Sequence, residues 1–199
     1  MSTPYEILAC PGLTAYTAVP NTAKPDVGAV SGSPFTSYTK LGANGADNYD
    51  EDGVVVKHDQ DIKTFRGLGK TGDLKAWREK EGLAVEFTIY DMTLEAYQKA
   101  MNNQAITTVA ASSGISGSKA MPLLQGYDVQ LFALLLRGNA SPYGDGWNCQ
   151  YWLPVVFQNE SPQPVFKKGV PAGLKMSFMA LQDSTNGFGK FEAQTATAL

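Results

Sequence analysis

The sequence predicts a mainly β fold of the sandwich or barrel-like kind, one domain over residues 1–199, with long loops and one flanking helix. Three observations carry that prediction. Several segments alternate apolar and polar residues with the period of two that a half-buried strand requires. Twenty glycines and eleven prolines punctuate them, the spacing of a turn-rich β protein. Only one segment has helical spacing behind a capping residue. A hydrophobic fraction of 43% is enough to fill a core for a chain of this length.

Tyr5 to Cys10 and Thr14 to Val19 are the first expected strands, parted by the turn pair Pro11-Gly12. From about 20 to 52 Gly, Ser, Pro, Asn and Asp dominate without periodicity, which predicts a long irregular loop ordered by a partner or used in function. Val54 to Phe65 alternates. Val54, Val56, His58, Gln60, Ile62 and Thr64 should face a core, and Val55, Lys57, Asp59, Asp61, Lys63 and Phe65 should face water. Arg66 to Glu81 reads as a loop freed by Gly67, Gly69 and Gly72 and anchored by Trp77.

Leu83 to Tyr90 is the next strand, with Leu83, Val85, Phe87 and Ile89 on its apolar face. Asp91 or Thr93 caps a helix of about 93–103, whose Leu94, Tyr97 and Met101 form a buried stripe before Asn102-Asn103 ends it. Tyr127 to Arg137 is a strand whose run Leu131 to Leu136 requires cover on both faces. Gly138 to Gly146 is a loop, and Pro154 marks an edge or bulge in the strand Gln150 to Gln158. Gly173 to Gln182 alternates again, Phe188 to Gln194 is a last strand, and Thr195 to Leu199 should fray.

Charge and motifs exclude more than they assign. A net charge of -3 gives no basic field to grip nucleic acid. Cys10 and Cys149 build neither a disulfide framework nor a metal knuckle and read as buried thiols. The start MSTPYEILAC lacks the pattern of a signal peptide, and Val129 to Leu136 is too short to span a bilayer, so synthesis in a cytoplasm without membrane entry is expected. For the same reason the triplets Asn139-Ala140-Ser141 and Asn159-Glu160-Ser161 carry no glycosylation signal.

Gly69-Lys70-Thr71 imitates a phosphate loop, but position 64 is Thr and Gly72 stands where a helix should begin. Asn48, Asp50, Asp52, Gly53 and Asp59 approach a calcium loop, yet the first ligand is Asn, the last is the short Asp, and a strand follows. His58 is the single histidine and has no nucleophile signature near it. No cofactor, metal or catalytic residue is expected. The run Lys57, Asp59, Asp61, Lys63 puts both charge signs on one strand face, which is the pattern of an ordinary solvated face and also suits a wall that must be wet without being sticky toward a polyanion.

The order DGVVVKHDQDIKTFRGLGKTGDLKAWREKEGLAVEFTIYDMTLEAYQKAMN resembles the tail tube (major tail) proteins of long-tailed bacteriophages. The likeness lies in the acidic-Gly pair before the first strand and the TG-x-x-KA-x-R loop. It continues through the strand–helix step Phe87, Thr88, Asp91, Thr93, Leu94 and Glu95, and covers about a quarter of the chain. The stretch from 105 to 150 is longer than that pattern.

The resemblance implies a structural virion protein, made in the host cytoplasm, that self-assembles into stacked hexameric rings. The rings form a conduit through which phage DNA passes without specific binding. Its partners would be further copies of itself, the tape measure, the tail terminator, and the baseplate or distal tail proteins. On that expectation Lys57, Asp59, Asp61, Lys63, Glu86, Thr88, Lys175 and Ser177 face the lumen. The loop 20–52 and the loop 66–81, with Arg66, Lys70, Lys75, Trp77 and Arg78, make contacts between rings. The alternative is a β-sandwich decoration or adaptor module that binds a partner or glycan through Gly138 to Trp152. An enzyme is the remaining class, and the chain offers it no convergent titratable set.

Overall fold

A computed structural model describes Leu8 and residues 12–29, 31–144 and 146–196. Apart from Leu8, the expected strand Tyr5 to Cys10 with its cysteine, and the last three residues of the fraying tail, lie outside the described residues.

The strands are β1 (Thr14–Ala18), β2 (Thr39–Lys40), β3 (Val55–Phe65), β4 (Lys75–Ile89), β5 (Thr107–Val109), β6 (Ser118–Ala120), β7 (Leu131–Gly138), β8 (Cys149–Gln158), β9 (Leu174–Ala180) and β10 (Lys190–Ala193), with helix α1 (Leu94–Ala100). Eight of them make one antiparallel sheet in the order β2-β1-β7-β8-β9-β4-β3, with β10 also on β8; β5 and β6 form a separate hairpin. The fold is therefore mainly β, as composition and alternation predicted.

Strand β8 organises the sheet. Its first half, Cys149 to Trp152, pairs with β10, and its second half, Val156 to Gln158, pairs with β9. Between the halves Phe132 faces Val156 while Leu134 faces Leu153, so two residues of β8 stand against Ala133 alone. Pro154 lies in that bulge, where its missing N–H breaks no ladder bond. Just beyond, Gly189 has φ of +128°, and a Cβ there would sit 2.1 Å from the Trp152 carbonyl oxygen, so only glycine lets β10 approach β8.

Two cores lie on opposite faces. The larger gathers Val85, Phe87 and Ile89 of β4, Leu174, Met176 and Phe178 of β9, and Phe132, Leu134 and Leu136 of β7, with Leu153 and Val156. The smaller holds Ala133, Leu135, Trp152 and Tyr38. The run Leu131 to Leu136 is covered on both sides from Phe132 onward, while Leu131 at its start is exposed. Segment 41–50 joins the sheet ends in a barrel-like way: Tyr49 bridges to Ile89, its hydroxyl accepts from the Ala15 N–H at 3.2 Å, and it donates to the Leu41 carbonyl at 2.9 Å.

Thr93 caps α1, its hydroxyl accepting the Ala96 N–H at 3.2 Å, and the left-handed Asn102 and Asn103 end it. The buried residues are Ala96, Ala100 and Met101 with Tyr97 packed beside them, so the stripe is set one residue round from Leu94. Small side chains let the helix sit close to the sheet.

The loop 20–52 is not free, contrary to expectation; its first part is a lid on the smaller core. Trp152 Nε1 donates to the Tyr38 hydroxyl at 2.9 Å and to the Thr22 carbonyl at 3.2 Å, and Gln150 Nε2 donates to the Pro25 carbonyl at 2.8 Å. Arg137 donates to the Asp26 and Ala29 carbonyls and lies over the Phe35 ring. These side-chain bonds replace the ladder that an irregular segment lacks.

Burial pushes the phenols of Tyr38 and Tyr49 up to about 12. An unfolded tyrosine ionises near ~10, so the unfolded chain loses these protons first. The stability they contribute is complete below that pH and is lost as pH rises through 12. We expect urea midpoints to fall steeply over that window, and Tyr38→Phe with Tyr49→Phe to flatten the fall. An unchanged slope in the double variant would remove these phenols as the cause.

Candidate functional site

Strands β3 and β4 form a hairpin that outgrows the sheet. Strand β9 pairs only with Ala84 to Ile89, so beyond Gly82, which faces Asp59, the hairpin continues as two strands alone. Every residue from Lys75 to Glu81 is exposed.

This corrects two expectations. The segment 66–81 is not one loop. Only 66–74 turns, and Lys75, Trp77 and Arg78 belong to β4, because Phe65 to Asp61 supply a ladder that KAWREKE would not form unaided. The face expected to be inward reaches the core only at Val54, just before β3, and Val56; His58, Gln60, Ile62 and Thr64 are exposed because no second layer covers the arm among the described residues.

Register places the eight expected lumen residues on one face of β3, β4 and β9. Glu86 stands between Val55 and Ser177, Thr88 opposite Lys175, and Lys57, Asp59, Asp61 and Lys63 alternate along β3. Lys57, Asp59, Lys63 and Lys175 are exposed and Asp61, Glu86 and Thr88 are half-buried, but Ser177 is buried. At 4% exposed it is a small side chain beside Glu86 within the sheet, not part of a surface.

Of the remaining charges, Lys57, Asp61, Lys63, Glu86 and Lys175 are ion-paired. Lys57 meets Glu86 at 2.7 Å, Lys63 meets Asp61 at 3.1 Å and Glu79 at 3.3 Å, and Lys175 meets Glu160 at 2.8 Å. Glu79 is the extra residue of the β4 bulge, which lets it reach Lys63. The hydrogen bond from Lys57 holds the Glu86 carboxyl below its usual range, and the bond that Lys175 donates to Glu160 raises the Lys175 ammonium. Exposed pairs of this kind add little stability. Their effect is on the field: Lys57, Lys63, Lys175 and, by register, Lys75 and Lys80 are offset by Asp59, Asp61, Glu79, Glu86 and Glu160, leaving no excess of cation to hold phosphate.

The arm's end is apolar as well as basic. Arg66 bonds Asp73 at 3.0 Å across the turn, and Arg78 reaches Gln60 and Glu81. Beside them Ile62, Phe65, Leu68, Leu74 and Trp77 are all exposed, Phe65 at 55% and Trp77 at 45%. Sequence reading singled out Trp77 as the apolar anchor of the expected loop, set Phe65 toward water and set Ile62 toward a core; Leu68 and Leu74 were legible only as large apolar residues inside that loop.

The turn bond from Lys70 N–H to the Gly67 carbonyl at 3.0 Å leads into β4, not into a helix. The Asp50 carboxylate accepts from the Tyr90 hydroxyl and the Asp52 N–H, Asp59 lies within β3 opposite Gly82, and no metal-ligating cluster occurs among the described residues. Of the aromatic region offered to a glycan, Trp152 is buried beneath the lid, while Tyr143 is exposed. No protein-family model and no curated protein matches this chain.

Proposed function

We propose that this chain is a tail tube protein of a long-tailed bacteriophage, assembling through its β3–β4 arm into stacked, hexameric rings that conduct the genome. The observation that carries the reading is the arm itself. It is a long two-stranded hairpin with large apolar side chains and no core of its own, and isolated hairpins are marginal in water unless something covers them.

The outer edge of β3 is likewise unpaired among the described residues. Ring closure removes such an edge, which otherwise invites uncontrolled pairing. The charge-balanced face of β3, β4 and β9 suits a bore that DNA slides past. Its partners are then other copies of the chain together with the tape measure, terminator and distal tail proteins, and its place is the virion tail. Negative-stain microscopy of the concentrated, purified protein is expected to reveal rings or tubes. A monomer at all concentrations would end this reading.

A further inference from the structure

Thr17 of β1 is 3% exposed, and its hydroxyl is buried without a hydrogen-bond partner among the described residues. Such a group is costly to leave unmade, which makes its surroundings informative. Two grooves share it. One of about 500 Å³ lies between α1 and β2 and is lined by Thr39, Leu41 and Ala96; the other, of about 360 Å³, reaches Phe132. Lys99 lines both.

The Lys99 ammonium lies 2.8 Å from Asn103 Oδ1 and 5.2 Å from the centre of the Phe132 ring. Among the described residues no carboxylate is within ion-pair distance of it. Burial pushes this amine below its usual range, as a cation without a counter-ion must be. The acid nearest in the groove, Glu95, is already engaged by Lys119 at 2.5 Å.

We propose that the two grooves form one site for a carboxylate carried on a short aliphatic chain. Lys99 pairs with the carboxylate, the Thr17 hydroxyl donates to it, and Leu41, Ala96 and Phe132 take the chain. A rotation by roughly 120° in χ1 carries the Thr17 hydroxyl to another staggered position, so the donor can be presented without moving β1. The class follows from charge and lining. An alkylamine is repelled by Lys99, and a phosphate dianion would be left underpaired by a single half-buried cation in an apolar groove. The site stands apart from the assembly reading and does not depend on it.

The test is calorimetric titration of the full chain with hexanoate, hexanol and hexylamine. Hexanoate is expected to bind saturably and hexylamine not at all. Lys99→Met, which keeps the aliphatic stem, should weaken hexanoate by about tenfold, the worth of a charge-assisted hydrogen bond. Thr17→Val should weaken it several-fold while raising the melting temperature, because the orphan hydroxyl is gone. A hydroxyl that is merely buried would give the second effect without the first. Lys99→Gln provides the same comparison if the methionine disturbs packing. Displacement of hexanoate by a glutamate-bearing peptide supports the site with a protein acid as its source; a peptide that does not displace it supports the site with a free acid. Hexanol binding as well as hexanoate, wild-type affinity in both variants, or no saturable binding would each overturn the site.

Discussion

Replacing Phe178 with alanine is expected to lower the stability of the monomer by about 3–5 kcal/mol. The ring is fully buried in β9, 6.0 Å from Phe87 of β4 and 6.4 Å from Phe132 of β7. It therefore joins the half of the sheet that carries the arm to the half that carries the lid. A small domain holds only about 5–15 kcal/mol in total, so the variant should be close to unfolding at moderate temperature. Denaturant titration should show the midpoint fall with the slope unchanged. Phe166 supplies the control, since it is 79% exposed and its alanine variant should change stability by less than about 0.5 kcal/mol. Equal effects at the two positions would mean that β9 does not pack between β4 and β7.

Phe178 was legible because Leu174, Met176, Phe178 and Ala180 repeat every second residue, and a period of two fixes the face once one member is buried. The same rule misled at β3. Val54 to Thr64 alternates as regularly, but alternation reports which residues share a face, not whether another layer covers it. Val56 finds the core because β9 lies beyond β4 at that level, and Ile62 does not because β9 ends first. Lys75 to Glu81 failed for a related reason. Its strand state comes from pairing with β3, a long-range term that local propensity does not contain. The lid was missed because its order rests on Arg137, Gln150 and Trp152, more than a hundred residues away in sequence. The charge-balanced face was legible in residue identity. Its pairing was not, since the bulge at Glu79 has no local signature.

Substituting Phe65, Leu68 and Trp77 together with serine is expected to abolish assembly while leaving the monomer's melting temperature almost unchanged. The three side chains already face water in the single chain, so their removal takes little from its fold. In an interface the balance reverses. Buried aromatic anchors are the side chains whose truncation costs about 2 kcal/mol or more, roughly thirtyfold in affinity for each contact. A ring repeats each contact at every subunit boundary, so a loss at one anchor is multiplied around the circle. Lys57→Met with Glu86→Met serves as the contrast. It removes an exposed pair from the charged face, which adds little binding energy, and rings should persist. Sedimentation velocity and microscopy on the two variants decide the matter. Rings that survive the serine variant but not the methionine pair would move the contact from the arm's apolar end to the charged face. A melting temperature that falls with the serine variant would show that the arm folds back on its own chain, and the unpaired hairpin would no longer be a reason to expect a second copy.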